Sequence, residues 1–285
     1  MESSLSIRPS PIAGKWYPGD PRRLADSVDG YLNAARLPEL QGEIVAVVVP
    51  HAGHVYSGPV AGHAFAALRG LEPDVVVVVS PMHYPYFQSL LTSAHSAYQT
   101  PLGDIPIAQE VVEQLNENLQ SLLGYPLTSV SNDQEHSLEI ELPFLQRALQ
   151  HEFRLLPVMV REVSRRVTRA LGDCLATILQ GKKALLVAST DLSHFYPQQV
   201  AEALDAEVLR RVEALDPEGV LQVEEEGKGF ACGRGALAAV LWAAREMGAN
   251  QARLLRYATS GNVTGDFSEV VGYAAAAFIR KAEKP

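Results

Sequence analysis

Two stretches of the chain are apolar at every position rather than at every second one. They are residues 44–49 (Ile-Val-Ala-Val-Val-Val), closed by Pro50, and 75–79 (five valines after Asp74), closed by Ser80 and Pro81. A strand with one face in water alternates, so an unbroken β-branched run predicts a strand buried on both faces, as in the middle of a parallel sheet. Residues 153–160 and 184–188 repeat the pattern, the latter running into Ser189, Thr190 and Asp191, and 252–259 and 270–279 predict two further strands. Helical spacing of apolar residues fills the intervals at 21–35, 60–68, 107–122, 133–149, 163–179, 199–214 and 234–247. Asp20-Pro21, and Ser131-Asn132-Asp133 ahead of Glu135, have the chemistry of helix starts, and the acidic run Glu224-Glu225-Glu226 reads as a solvated helix end. Alternating strands and helices predict an α/β fold, a mostly parallel central sheet flanked by helices. No Ser/Gly-rich linker and no repeat of about 20–50 residues interrupts it, so one domain over 1–285 is expected, with 1–20 as an amino-terminal arm.

Composition narrows the function classes. With 285 residues, 47% apolar and 20% charged, the chain can bury a large core, which excludes disorder and small disulfide scaffolds. Its 24 basic and 33 acidic residues give a net charge of −9. Nucleic acid and anionic membrane are therefore not expected as partners. Cys174 and Cys232 are the only cysteines, which fits a reducing compartment better than a disulfide framework. Residues 1–20 lack a basic stretch followed by an apolar run, and no apolar stretch approaches the about 18 residues of a membrane span. A cytoplasmic location is expected.

In open α/β sheets ligands bind beyond the carboxyl ends of the strands. There the chain carries Pro50-His51-Ala52-Gly53-His54, with Tyr56, then Ser80-Pro81-Met82-His83-Tyr84, and Ser189-Thr190-Asp191-Leu192-Ser193-His194. Four of the eight histidines thus sit at three strand ends. Imidazoles delivered to one sheet edge suit a metal or acid–base site for iron, copper, nickel or zinc. A site with two imidazoles needs a third, anionic donor, and Asp191, Glu135, Glu139 and Cys232 are candidates. Cys232 lies in a Gly-rich turn beside Arg234 at the expected start of a helix, two features that favour a thiolate. Cys174 shares a helical stripe with Leu171, Leu175 and Ile178 and reads as core. Asp191 and His194, three apart, can form a carboxylate-oriented imidazole for proton transfer. His136, read as opening a helix, can reach the same cleft or cap that helix.

Other signals carry less. Gly233-Arg234-Gly235-Ala236-Leu237-Ala238 fits the loose dinucleotide fingerprint but follows no strand. Walker, Gly-x-Ser-x-Gly, His-Glu-x-x-His and Cys-x-x-Cys motifs are missing from the sequence. His63, His95 and His151 read as ordinary structural or surface residues. Trp16 and Tyr17 read as pins holding the arm to the domain, or as an aromatic wall of the cleft.

Taken together, these segments resemble the Memo family, whose prokaryotic members are called AmmeMemoRadiSam system protein B. The marks are Ala13-Gly14-Lys15-Trp16-Tyr17-Pro18, the three histidine segments above, Glu135-His136-Ser137-Leu138-Glu139, Cys232-Gly233-Arg234 and Ser260-Gly261, within a likeness that runs from residue 8 to about 279. The resemblance implies a fold similar to that of the class III extradiol, LigB-type ring-cleaving dioxygenases. It implies metal ligands at His51, His83 and Cys232, with Asp191 and His194 lining the site. Family members are linked to iron or copper and redox chemistry, animal ones to phosphotyrosine peptides, and the prokaryotic name to radical SAM and AMMECR-type partner proteins.

Three functions compete at this stage. The first is a metal-dependent oxidoreductase with iron or copper on His51, His83 and Cys232, with His194 and Asp191 moving protons and Tyr56, Tyr84, His54 and His136 flanking a small-molecule or peptide ligand. The second is a peptide- or anion-binding module in which Arg234 and the imidazoles supply donors. The third is a zinc hydrolase in which Asp191 replaces Cys232 as ligand.

Overall fold

In the computed structural model, which describes residues 6–149 and 151–282, the valine run at 75–79 pairs in parallel with a strand on either side. Residues 1–5 of the expected arm and 283–285 lie outside the described residues. In chain order, β1 (Ile7–Arg8) and α1 (Pro21–Ala34) precede β2 (Glu43–Val49), α2 (His54–Ala66) and β3 (Val75–Pro81). Then come β4 (Leu90–Ser93), β5 (Ala97–Thr100), β6 (Gly103–Pro106), α3 (Gln109–Leu123) and β7 (Thr128–Val130). A single 3-10 turn (Glu139–Glu141) leads into α4 (Leu142–Ala148), β8 (Arg154–Val160), α5 (Arg165–Leu179), β9 (Ala184–Ser189) and β10 (His194–Tyr196). The remaining elements are α6 (Gln198–Glu213), α7 (Pro217–Glu225), α8 (Arg234–Glu246), β11 (Gln251–Thr259), α9 (Gly261–Thr264) and β12 (Val270–Arg280).

The main sheet runs β10-β12-β2-β9-β3-β8-β4-β7, with β11 also on β12. Its centre, β2-β9-β3-β8, is parallel throughout, as the unbroken apolar runs predict. Every residue of β3 is buried, with α8 packed across it and parallel strands on both sides. The α2 helix packs against β2, β11 and β12 and carries α1 and α4, whereas α8 crosses β2, β9, β3 and β8 and carries α5 and α7. Residues Gly235 to Ala244 of α8 are all buried, and the glycine and five alanines among them let the helix lie close to its neighbours. No helix of the described residues is long and apolar enough to cross a membrane.

The strand order creates the site. Because β9 lies between β2 and β3, the segments following these three strands emerge side by side, at the edge where His51, His83 and Asp191 were expected to converge.

Several expectations change. The strands at 251–259 and 270–280 are antiparallel to their neighbours, at one side of the parallel centre. The helix expected over 60–68 begins at His54, directly after the first histidine segment. The helix expected over 133–149 begins only at Leu142. Asp133, Glu135 and Ser137 are buried at alternate positions, so this segment follows a period of two until the 3-10 turn. The reason is electrostatic: buried carboxylates along it hold partners from other parts of the chain, which a regular helix would turn to different faces.

Candidate metal centre

His51 follows β2, His83 follows β3, and His136 comes from the extended segment before the 3-10 turn. One ring nitrogen of each lies within 4.8 Å of the other two. The His83 and His136 rings stack at 4.9 Å with 10° between their planes. His51 stands edge-on to both, its centroid 5.3 Å from His83 and 5.5 Å from His136. His136, expected on the ligand side of the cleft, is thus grouped by the structure with the two imidazoles expected to bind metal.

Nδ1 of each ring faces an oxygen, within hydrogen-bond distance in His51 and His83. Nδ1 of His51 is 2.9 Å from Ser189 Oγ. Nδ1 of His83 is 2.9 Å from Glu135 Oε1, and Nδ1 of His136 is 3.3 Å from the same oxygen. Such partners orient an imidazole through Nδ1 and keep Nε2 as the nitrogen available to a metal, although in His51 it also meets Cys232 Sγ at 3.1 Å. Burial, helped by repulsion from the neighbouring imidazoles, holds the His51 pKa well below its usual value. Burial likewise lowers His136 to about 4 despite the nearby Glu135 carboxylate. Both are neutral lone-pair donors at physiological pH, the form a metal requires.

Glu135 is the hub of this arrangement rather than a ligand. Its carboxylate accepts the backbone N–H groups of His83 (2.6 Å), His136 (2.9 Å) and Ser137 (3.0 Å). Burial alone would raise this carboxyl, but His83, His136 and the Ser137 N–H hold it down to about 2. Glu139 is also committed elsewhere, accepting from Arg8 Nη1 at 2.6 Å, Tyr17 Oη at 2.9 Å and Ser10 Oγ at 2.5 Å.

Cys232 places Sγ 3.1 Å from His51 Nε2. Its turn is held to the end of β9, with the Cys232 N–H donating to Asp191 O (3.2 Å) and the Asp191 N–H donating to Sγ (3.3 Å). A side chain at Gly233 would put Cβ 2.3 Å from Ser189 O, so only glycine lets the turn approach this closely. The expectation of a thiolate is corrected: burial, with Asp191 adding, pushes the thiol well above its usual value. Arg234 does not offset this, because its guanidinium is ion-paired with Glu224. The thiol thus has two acceptors within reach, Nε2 of His51 and, at 3.6 Å, the Asp191 carbonyl.

Asp191 lies at this edge but does not orient His194. Its carboxylate accepts the His51 N–H at 2.8 Å and also bonds the Ala52 N–H, which clamps the turn after β2. Burial raises its carboxyl to about 7. His194 opens β10 with its ring near Phe195 and Phe230, and its buried Nδ1 has no hydrogen-bond partner among the described residues. Burial lowers its pKa, so it too is neutral. His54 turns away from the cluster: it is buried between Tyr17 and Phe144, with Nε2 donating to Ile140 O at 2.9 Å. Tyr56 and Tyr84 are exposed on the segments that follow His51 and His83.

Trp16 and Tyr17 hold the arm to the domain, as their sequence suggested, and what sequence reasoning missed in the arm is Arg8. Trp16 lies against His136, their centroids 4.1 Å apart, while Tyr17 is buried and pins the arm to Glu139. Arg8, 1% exposed, bonds Asp133 through Nε (3.0 Å) and Nη2 (2.8 Å) and donates to Glu135 O at 2.8 Å, which braces the segment carrying His136. No local periodicity marks Arg8, and the burial of the carboxylates that a cation has to meet appears only in the fold. The roles of Ser189 and Glu141 were missed as well. A separate groove of about 1140 Å³ opens at the opposite sheet edge, near the amino ends of β2 and β9, and no histidine lines it.

The family model for Memo, described as Memo-like protein, matches residues 8–277. A MEMO1 family protein of Methanopyrus kandleri is 36% identical over 279 residues, covering 94% of this chain and 98% of its own. A MEMO1 family protein of Nitrosopumilus maritimus is 32% identical over 277 residues, covering 96% and 100%. Among solved structures, an uncharacterized protein of Escherichia coli K12 overlays with a TM-score of 0.45 and 16% identity over 82% of this chain and 99% of its own, a likeness too loose to assign anything.

Proposed function

The chain belongs to the Memo-like protein family, and on that premise we propose that it is a metal-dependent oxidoreductase that holds iron or copper on His51, His83 and His136, with Cys232 beside them. The observation that carries this reading is the convergence of three imidazoles, two of which have Nδ1 hydrogen-bonded, His51 to Ser189 and His83 to Glu135. The residues fit such an ion: the neutral rings of His51 and His136 are lone-pair donors, His83 lies beside them, and the adjacent thiol is a soft donor that can lose its proton to a cation. When bound, iron or copper would supply one-electron chemistry.

The chain's own groups have definable tasks. Ser189 and Glu135 hold the rings in place, and Asp191 fixes the turn after β2. His194, neutral, would take a proton from a bound molecule. Tyr56, Tyr84 and Trp16 would flank a small-molecule or peptide ligand. Two competing readings are less well supported. Asp191 is committed to backbone N–H groups, which disfavours it as a zinc ligand, and Arg234 is committed to Glu224, which removes the main cation of an anion-binding module.

The test is to purify the protein without oxygen, load it separately with Fe(II), Cu and Zn, and follow a redox titration spectroscopically. A reversible one-electron change in the iron or copper form, lost in His51→Ala, is expected. Uptake of zinc alone, or of no metal, would overturn the proposal.

A further inference from the structure

Three polar atoms surround Ser189 Oγ: Ser137 O at 2.7 Å, Glu141 Oε1 at 2.8 Å and His51 Nδ1 at 2.9 Å. Ser137, Glu141, Ser189 and His51 are all at most 2% exposed, so these contacts must satisfy one another. A hydroxyl has one proton to give and two sites at which to accept. The Ser137 carbonyl can only accept, so the hydroxyl proton goes to it. The other two contacts then need donors, Nδ1–H from His51 and a carboxylic O–H from Glu141. The opposite choice, in which Ser189 donates to a Glu141 carboxylate, leaves two bare oxygens facing each other in a buried site, an arrangement that costs free energy.

We propose that Glu141 is a positioning residue for the metal centre: by donating a hydrogen bond to Ser189 it completes that hydroxyl's partners and fixes His51 as the Nδ1–H tautomer, with the Nε2 lone pair aimed at the ion. Glu141 touches neither the ion nor any of the three histidines; it acts through Ser189. Two independent features agree. Burial, with Asp191 nearby, pushes the Glu141 carboxyl well above its usual range. On the other side of the ring, Cys232 Sγ lies 3.1 Å from Nε2 of His51, where the lone pair of the Nδ1–H tautomer can accept a hydrogen bond. The tautomer assignment stands without a metal; the link to metal affinity rests on the proposed function.

The test has two readouts. Nitrogen-15 NMR of histidine-labelled, metal-free protein reports which nitrogen of His51 carries the proton, and titration with cobalt(II) reports the affinity of the site. In the unaltered protein His51 Nδ1 should be protonated. Glu141→Gln keeps an N–H donor and should leave both the tautomer and cobalt affinity unchanged. Glu141→Leu and Ser189→Ala should give a tautomer mixture and weaken cobalt binding by about 10–100-fold. Should Glu141→Leu not fold, the contrast between Glu141→Gln and Ser189→Ala decides. An Nε2–H tautomer in the unaltered protein, or a Glu141→Gln protein as impaired as Ser189→Ala, would overturn the proposal. The predicted tautomers without cobalt uptake would instead support the role of Glu141 and refute the metal reading.

Discussion

Glu135 sets one carboxylate oxygen 2.9 Å from Nδ1 of His83 and the other 2.6 Å from the backbone nitrogen of the same residue, so a single side chain fixes both the position and the rotation of one imidazole. Because His136 follows Glu135 in sequence and shares its first oxygen, the two stacked rings are set by one carboxylate.

Glu135→Gln would keep the volume but lose one acceptor oxygen and the charge. It should weaken Fe(II) or cobalt(II) binding by about 10–100-fold while the protein stays folded. Calorimetric titration measures this, and unchanged affinity would show that His83 and His136 orient themselves without the carboxylate.

Arg8→Ala would strand Asp133 and Glu139, whose side chains are at most 2% exposed and face Arg8 at 2.8 and 2.6 Å. Removing one partner from a buried ion cluster costs about 3–5 kcal/mol, and urea unfolding should show a loss of that size. Neutralising both acids as well, with Asp133→Asn and Glu139→Gln, should restore part of it.

Gly233→Ala forces the 2.3 Å approach of Cβ to Ser189 O, so the turn must move away from β9. The Cys232 thiol then leaves His51. Faster labelling by a thiol reagent than in the unaltered protein is the expected result, with Cys174→Ser in both backgrounds to remove the other thiol.

The buried His54 gives a pH signature separate from the metal site. Burial lowers its pKa from 6.5 to about 4, against the pull of its bond to Ile140 O. The unfolded chain takes up the proton first, so this contribution to stability is complete above about pH 6.5, falls as pH drops toward 4, and amounts to about 3 kcal/mol. Denaturation midpoints between pH 7 and 4 should fall less steeply for His54→Gln than for the unaltered protein. Parallel curves would mean that His54 is not held neutral.

The parallel centre of the sheet was legible because Val75 to Val79 has no polar position to turn toward water. The histidine segments were legible because β2, β3 and β9 all deliver their carboxyl ends to one edge. What stayed hidden depends on contacts distant in sequence. The segment at 133–138 has helix-start chemistry, yet Asp133 is spent on Arg8, 125 residues away, and Glu135 on His83, 52 residues away. No local pattern encodes those pairings, so His136 was placed on a helix and assigned to the ligand side. The thiolate expected for Cys232 failed for the same reason: helix start and neighbouring arginine were read correctly, but burial and the pairing of Arg234 with Glu224 appear only in the fold.

The central claim, that three imidazoles form a metal centre, is tested most directly by anaerobic equilibrium titration of the metal-free protein with Fe(II) and with copper. The unaltered protein should bind one equivalent tightly, and His51→Ala, His83→Ala and His136→Ala should each abolish that uptake while remaining folded. Absence of binding by the unaltered protein, or binding that survives all three substitutions, would contradict the account.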